Sequence, residues 1–168
     1  MNVWGVLGLI KTILQTAMWP GGSTPVFDPA SVLVISQGDE IAELDEGLIP
    51  PLCVICPMAG DCDPEHREEP DLIRRNIDII LVAVGQGDRY GQEVIMGGHS
   101  PGTGQSQGRG LLELEEILFA NLKKLDAQQG ITIQFAGYGV GQTRRDTSDN
   151  FLGIQDYTFQ VWTSASLS

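Results

Sequence analysis

The stretch "LIRRNIDIILVAV" (72–84) predicts the longest strand of the chain. Polar and apolar residues alternate over its first half, which is the pattern of a strand with one solvated face. Its second half is continuously apolar, which is typical of a strand covered on both faces. We therefore expect a central strand here, with the rest of the sheet built on either side of it.

Other segments with the composition of strands precede and follow this one. The prolines of "LIPPLCVICP" predict an edge strand or a kink, because proline has no N–H to donate to a neighbouring strand. A polar link over 141–150 joins the last two strands. The full set is "PVF" (25–27), "SVLVIS" (31–36), "LIPPLCVICP" (48–57), the end of "GQGDRYGQEVIM" (85–96), "ITIQFAGYGV" (131–140) and "IQDYTFQVWTS" (154–164).

Two segments carry apolar residues at helical spacing. Residues 2–18 predict an amphipathic helix that ends at "WPGGSTP" (19–25), because Pro20 and the two glycines cannot continue it. A second amphipathic helix is predicted over roughly 109–126, bounded by Gly130. Its apolar stripe consists of Leu111, Leu114, Leu118, Leu122 and Leu125.

The order of these elements predicts the fold class. One helix, several strands, a second helix and two more strands lack the regular alternation of a doubly wound fold. We expect an α+β fold, with a mainly antiparallel sheet and the two principal helices packed on one face. A length of 168 residues fits a single domain over 1–168.

The charge balance disfavours a protein that grips nucleic acid. There are 22 acidic residues against 10 basic ones, which gives a net charge of −12. Non-specific affinity for DNA comes from Lys and Arg that neutralise phosphates, so an acidic surface should repel it. The N-terminus lacks the basic start of a signal peptide, and no stretch reaches the length of a membrane span. We expect a soluble protein made in the cytoplasm, with no membrane contact.

A glycine-rich loop, "GGHSPGTGQSQGRG" (97–110), leads into the second helix. It contains no Lys, which a phosphate-binding P-loop requires. Gly102 and Gly104 are followed by Gly108, which is not the spacing of a dinucleotide-binding turn. We predict a flexible loop that binds no nucleotide and no other cofactor.

Glu115 interrupts the apolar stripe of the second helix. At about 100° per residue it falls among the leucines rather than on the charged side. Either the carboxylate lies at the margin of the stripe and reaches water, or it is buried at an interface with an arginine partner. The second alternative follows from the high cost of an unpaired buried charge.

Cys53, Cys56, Cys62 and His66 form a possible set of four zinc ligands. Cys53 and Cys56 lie in an apolar strand-like run, however, and side chains three apart on a strand point to opposite faces. Free cysteine also commonly fills a hydrophobic core. We predict no metal site, and no catalytic pair of side chains can be assembled from the sequence, so we expect no enzyme.

Arranged in this way, the chain resembles the tail-terminator, or tail-completion, proteins of long-tailed bacteriophages. The resemblance is carried by the helix 2–18, by "DPEHREEPDLI" (63–73) leading into the long strand, by "GRGLLELEEIL" (108–118) and by the closing strand "YTFQVWT" (157–163). These four segments span most of the chain, and the cysteines are not part of the pattern.

The resemblance implies a structural virion protein at the head–tail junction. Such proteins form a ring of six copies that caps the tail tube, stops its growth and offers the head a docking surface. Its partners would be copies of itself, the tail tube protein and head–tail connector proteins, while DNA passes through without specific binding. A head–tail connector or stopper, and a small zinc-binding or hydrolytic protein, are the alternatives. The expected assembly interface comprises Gly98, Ser100, Gly104, Gly108, Arg109, Glu115, Glu68, Glu69 and Asp71.

Overall fold

The computed structural model describes residues 3–35, 50–57, 72–85, 94–95, 110–126, 131–139, 141–145 and 151–164. Within these ranges lie two helices, α1 (Val3–Gln15) and α2 (Leu111–Asp126), and a short 3-10 helix at Pro29–Ser31. The same ranges contain six strands: β1 (Val32–Val34), β2 (Leu52–Pro57), β3 (Leu72–Gly85), β4 (Ile131–Tyr138), β5 (Gln142–Arg145) and β6 (Phe151–Ser164). The expected α+β class is confirmed.

The centre of the sheet is the antiparallel pair of β3 and β6. Their register runs without a break from Leu72 opposite Ser164 to Gly85 opposite Phe151. The strand order is β1-β2-β3-β6-β4, and β5 pairs with the part of β6 that β4 leaves open. From Ile77 to Ala83 every β3 side chain except Asp78 is buried, so the expected coverage of both faces is confirmed.

Strand β2 corrects the expectation drawn from its prolines. It lies between β1 and β3, parallel to the first and antiparallel to the second, so it is an interior strand and not an edge. Pro50 and Pro51 precede its first residue, and Pro57 is its last. Because the residues that lack an N–H stand at the ends of the strand, its pairing with both neighbours is preserved.

Two segments between the larger elements also differ from expectation. Val94 and Ile95 are helical, whereas the sequence pattern predicted an extended segment there. The polar link over 141–150 contains β5, which pairs with β6 from Gln142 opposite Ile154 to Arg145 opposite Phe151. A polar segment forms a strand here because an uncovered length of β6 supplies the pairing partner.

Both helices pack on the same face of the sheet. One buried core joins strand residues such as Ile55, Ile79 and Phe159 to both helices. Helix α1 contributes Val6, Leu7, Ile10 and Leu14, and helix α2 contributes Leu114, Ile117, Leu118, Leu122 and Leu125. The predicted leucine stripe is therefore largely buried, with Leu111 half-buried at its start. On the opposite face, Val54, Cys56 and Ile80 form a smaller buried cluster.

Helix α1 ends at Gln15, three residues before the end at residue 18 that the sequence predicted. The chain reverses after it, and Met18 pairs with Pro25 as an isolated bridge. Gly21 adopts a φ of 74°, a conformation that side chains other than glycine rarely adopt. Neither helix in the described part of the chain has the length and apolar character that a membrane crossing requires.

Replacing Leu118 or Leu114 with Ala is expected to lower the free energy of unfolding by roughly 2–5 kcal/mol, because each change leaves a cavity in the core. Leu112 on the same helix is 51% exposed, so Leu112→Ala is the matched control. That control should change stability by no more than about 0.5 kcal/mol. Chemical denaturation measures all three. Losses below about 1 kcal/mol at both Leu114 and Leu118 would contradict their place in the core.

Candidate functional site

The residues expected at an assembly interface fall mostly outside the described ranges. Of the nine, Glu115 on α2 is described, and its surroundings can be examined directly. The other eight, which lie outside the described residues, are Gly98, Ser100, Gly104, Gly108, Arg109, Glu68, Glu69 and Asp71. The described residues on either side of 96–109 nevertheless define where this segment leaves the fold and returns to it.

Val94, Leu111 and Gly153 together form what we call the loop anchor. A Cβ atom placed on Gly153 of β6 would lie 2.9 Å from Leu111 Cδ1 and closer still to Val94 Cγ1. Val94 precedes the segment 96–109 and Leu111 follows it, so the two chain ends meet over one glycine. Because only glycine leaves this space open, Gly153 allows both side chains to pack directly on the sheet.

The start of α2 is held rigidly at this point. Gly110 is buried, and its carbonyl accepts a hydrogen bond from the Leu114 N–H at 3.2 Å. Glu113 lies in the first turn and Lys123 and Lys124 in the last, the charge arrangement that the helix dipole favours. The glycine-rich segment therefore returns to the fold at a fixed, buried helix end.

Glu115 is bound by two tyrosine hydroxyls, an arrangement we call the tyrosine clamp. Tyr138 donates to Oε1 at 3.0 Å, and Tyr157 donates to Oε2 at 2.9 Å. The arginine partner considered from sequence is thus not needed to satisfy these two oxygens, and Arg109 lies outside the described residues. Hydrogen bonds to an ionised carboxylate are stronger than those between neutral groups, so the clamp ties α2 to β4 and β6.

A bulge in β4 brings Tyr138 to the helix-covered face. The register of β4 against β6 shifts between Phe135 and Gly137, so that Tyr138 comes to lie opposite Tyr157. Without the extra residue, strand alternation would place Tyr138 on the face opposite Phe135. The bulge is therefore what lets both tyrosines reach one carboxylate.

Aromatic rings surround the clamp. Phe119 of α2 contacts Phe135 edge-on, with ring centroids 5.0 Å apart, and Phe159 at 5.5 Å. Tyr138 contacts Phe135 at 5.0 Å and Tyr157 at 5.6 Å. Such ring pairs add to stability beyond the area they bury. The cluster fixes the position of Tyr138 even though that side chain is 61% exposed.

The clamp keeps both tyrosines protonated. Burial, followed by the hydrogen bond to Glu115, raises the pKa of Tyr157. For Tyr138, the hydrogen bond to Glu115 is the main cause that raises the pKa. Each hydroxyl must keep its proton in order to donate, and a tyrosinate beside a carboxylate would be repelled.

Two further carboxylates lie on the opposite face of the sheet. Thr158 Oγ1 donates to Asp78 Oδ1 at 2.6 Å. Burial, and then the charge of Asp78, raises the pKa of nearby Asp156. Within the described ranges, no three His, Cys, Asp or Glu side chains come together as a metal site would require.

Cys53 and Cys56 lie on opposite faces of β2. Cys53 belongs to the core beneath the helices, and Cys56 belongs to the smaller cluster on the other side. Both cysteines are buried and neither forms a disulfide, and burial is the main cause that raises the pKa of Cys53. A thiol of raised pKa stays protonated at neutral pH, whereas a zinc ligand or nucleophile must be the thiolate. Cys62 and His66 lie outside the described residues.

Several groups of this region are not indicated by the sequence pattern. Asn121 lies within the leucine stripe, buried, and donates to the Ile117 carbonyl at 2.8 Å while accepting from Lys124 Nζ at 3.1 Å. Tyr138 and Tyr157 lie 23 and 42 residues from Glu115, beyond any local spacing rule.

No protein-family model matches the chain, and a comparison with curated proteins also finds no match.

The clamp predicts how stability depends on alkaline pH. The pKa of Tyr157 is raised in the folded state above its ordinary value of about 10, so its contribution is complete below pH 10 and is lost as pH rises further. We expect the free energy of unfolding to begin to fall near pH 10 and to keep falling as pH rises further, and to fall less steeply in Tyr157→Phe. Urea denaturation across this range measures both slopes. Equal slopes in the two proteins would contradict the conclusion that the Tyr157 hydroxyl must stay protonated in the folded state.

The cysteine geometry leads to a second expectation. Elemental analysis of protein purified without chelator should give well below one zinc per chain, because Cys53 and Cys56 cannot reach one ion while β2 is intact. Stoichiometric zinc, lost in Cys56→Ser, would instead make Cys53, Cys56, Cys62 and His66 the site. It would also require β2 to open.

Proposed function

We propose that this chain is a structural virion protein that forms a ring at the end of a phage tail tube. In this role it terminates tail growth and joins the tail to the head. The first support is the resemblance described above, in which four segments occur in the order of the tail-terminator family. The second is the loop anchor, which is the structural observation that supports the proposal.

The loop anchor supports an assembly role for the segment 97–110. Six of its fourteen residues are glycine, so ordering it should cost substantial conformational entropy. Both of its neighbours are fixed, because Val94 is 1% exposed and Leu111 packs with it over Gly153. A segment whose ordering costs much conformational entropy, and which is attached at both ends to a rigid base, suits an assembly contact. It would adopt one conformation only when a large interface offsets that entropy cost.

Arg109 is the residue of this segment that we assign to a subunit contact. It directly precedes Gly110 at the start of α2, where the positive end of the helix dipole disfavours a cation. A carboxylate from a neighbouring copy, for example from the acidic stretch 63–71, would offset that penalty. The expected interface therefore joins Gly98, Ser100, Gly104, Gly108 and Arg109 to Glu68, Glu69, Asp71 and Glu115.

The net charge of −12 is consistent with a ring through which DNA passes. Acidic walls repel phosphates, so a lumen of such copies would not retain the DNA. A head–tail connector or stopper would share this property and is the nearest alternative. A zinc-dependent protein is less well supported, because two of its four ligands lie on opposite faces of β2.

The mass of the purified protein in solution, alone and with tail tube protein, tests the proposal. We expect a ring, most simply of six copies, that forms or is stabilised on tail tubes and stops their growth. A terminator caps tube ends of defined length, whereas a connector binds heads and leaves tube length unchanged. A protein that stays at its 18.2 kDa monomer mass under both conditions would contradict the ring.

Two loop variants test the role of 97–110. Arg109→Glu and a deletion of 100–106 should both remain folded as monomers and fail to complete tails. The deletion is tolerated because Val94 and Leu111 are neighbours, so the nine remaining residues, 95–99 and 107–110, still connect them over a short distance. Arg109→Lys keeps the charge and is the matched control, which should retain most activity. Normal tail completion by both variants, or micromolar ATP binding by the unmodified protein, would contradict this role.

A further inference from the structure

Asp78 and Asp156 are neighbours on the sheet face that does not carry the helices. In the register of β3 and β6, Asp78 is opposite Thr158, and Asp156 precedes Thr158 by two residues. Because side chains alternate along a strand, the two carboxyls are diagonal neighbours on one face, a relation that places residues roughly 7–8 Å apart. Both side chains are half-buried. Water therefore screens the repulsion between two carboxylates here less than it would on an open surface.

The two carboxyls have different surroundings. Thr158 Oγ1 donates to Asp78 Oδ1 at 2.6 Å, which stabilises the negative charge of Asp78. The carboxyl of Asp156 lies against backbone instead, because a Cβ atom placed on Gly139 would be 3.2 Å from Asp156 Oδ2. An ionised Asp156 thus has the Gly139 backbone on one side and the charge of Asp78 on another. These surroundings favour the neutral form of its carboxyl group.

Gly139 and Gly141, which we call the corner glycines, follow β4 and precede β5 and lie close to β6. The Gly139 N–H donates to the Asp156 carbonyl at 2.9 Å, and the Gly139 carbonyl accepts from Gln155 Nε2 at 3.0 Å. A Cβ atom placed on Gly141 would lie 2.6 Å from Gln155 Oε1. The chain approaches β6 this closely because neither corner residue has a side chain. Gln155 and Asp156 therefore form the surface against which the corner glycines pack.

Asp78 is the charged residue closest in register to Asp156 within the described part of the chain. The corner glycines contribute no side chain, and the nearest β5 residue on this face, Gln142 opposite Ile154, is neutral. The other charged or titratable residues at described register positions of this face are Arg74 opposite Trp162, Cys56 opposite Asp78, and Arg144 opposite Leu152. Burial, and then the charge of Asp78, raises the pKa of Asp156.

We propose that Asp78 and Asp156 form a carboxyl pair whose ionisation controls how tightly the corner glycines are held on β6. With a proton on Asp156, the pair carries a single negative charge, and the Gly139 backbone packs over a neutral carboxyl group. When that proton passes to solvent, two carboxylates face each other in a half-buried site. Displacement of the Gly139 backbone then lets water reach Asp156, which reduces the repulsion.

The proton on Asp156 stabilises the packed corner. The pKa of Asp156 is raised in the folded chain, so its contribution to stability is complete below the ordinary Asp value of about 3.9 and is lost as pH rises through the raised pKa. Tyr138 directly precedes Gly139 and donates to Glu115, so a loosened corner also weakens the tyrosine clamp. The pair thus links pH to the contact between β4 and α2, whether or not copies assemble into a ring.

Hydrogen exchange of the Gly139 N–H between about pH 4 and pH 8 tests the proposal. Mass spectrometry of peptides that contain Gly139, corrected for intrinsic exchange rates, gives its protection. In the unmodified protein, protection should fall severalfold as pH rises. Asp156→Asn keeps the shape of the side chain but cannot ionise, so its protection should stay high throughout. Asp78→Asn removes the neighbouring charge, so the fall should occur at lower pH.

Glu116→Gln is the matched control, because it also removes one negative charge but lies exposed on α2. Its protection at Gly139 should follow that of the unmodified protein at every pH. Thermal unfolding gives a second readout. The midpoint of Asp156→Asn should exceed that of the unmodified protein at about pH 7, and the difference should shrink toward about pH 4, where the native carboxyl is also protonated.

Four results would overturn the proposal. They are constant protection at Gly139 in the unmodified protein, a fall of the same size in Asp156→Asn, an unchanged pH of the fall in Asp78→Asn, and an equal fall at the centre of β3 and β6. The last would mean that the whole sheet loosens and not the corner. None of these results bears on the ring, which the mass in solution tests separately.

Discussion

The uninterrupted pairing of β3 with β6 is the constraint on which the other elements depend. Its fourteen residue pairs bring Leu72 opposite Ser164 and so join distant parts of the chain. Every other strand but β1 pairs directly with one of these two, and β1 follows through β2. Because side chains alternate along strands, this single register decides which residues face the helices. A slip by one residue would move Tyr157 and Phe159 out of the core.

Helix α2 is attached to this pair by contacts of two different kinds. At its start, the missing side chain of Gly153 lets Leu111 approach the backbone of β6. One turn later, Glu115 accepts hydrogen bonds from Tyr138 of β4 and Tyr157 of β6. Packing alone would tolerate small rotations of the helix, whereas two directional hydrogen bonds to one carboxylate do not. The end of the glycine-rich segment is consequently fixed relative to the outer edge of the sheet.

Local patterns predicted the helices and the long strand, because their burial follows from spacing within a dozen residues. The other features, strand β5 and the partners of Glu115, depend on contacts between residues that are distant in the sequence. Strand β5 was assigned to a polar link, since its pairing depends on the length of β6 that β4 leaves open. The partners of Glu115 could not be predicted, because the bulge after Phe135 turns Tyr138 to the helix side. The candidate interface rests mainly on residues outside the described ranges, so it remains a prediction.

Among the described strands, the outer edges of the sheet are open, and these edges and the strongly acidic composition have opposing effects on self-association. An unpaired edge attracts any exposed strand, which makes it a hazard for a free monomer. A net charge of −12 makes two approaching copies repel each other at distances up to roughly a Debye length of 10 Å. The net charge of the chain therefore opposes indiscriminate pairing of strand edges between free copies.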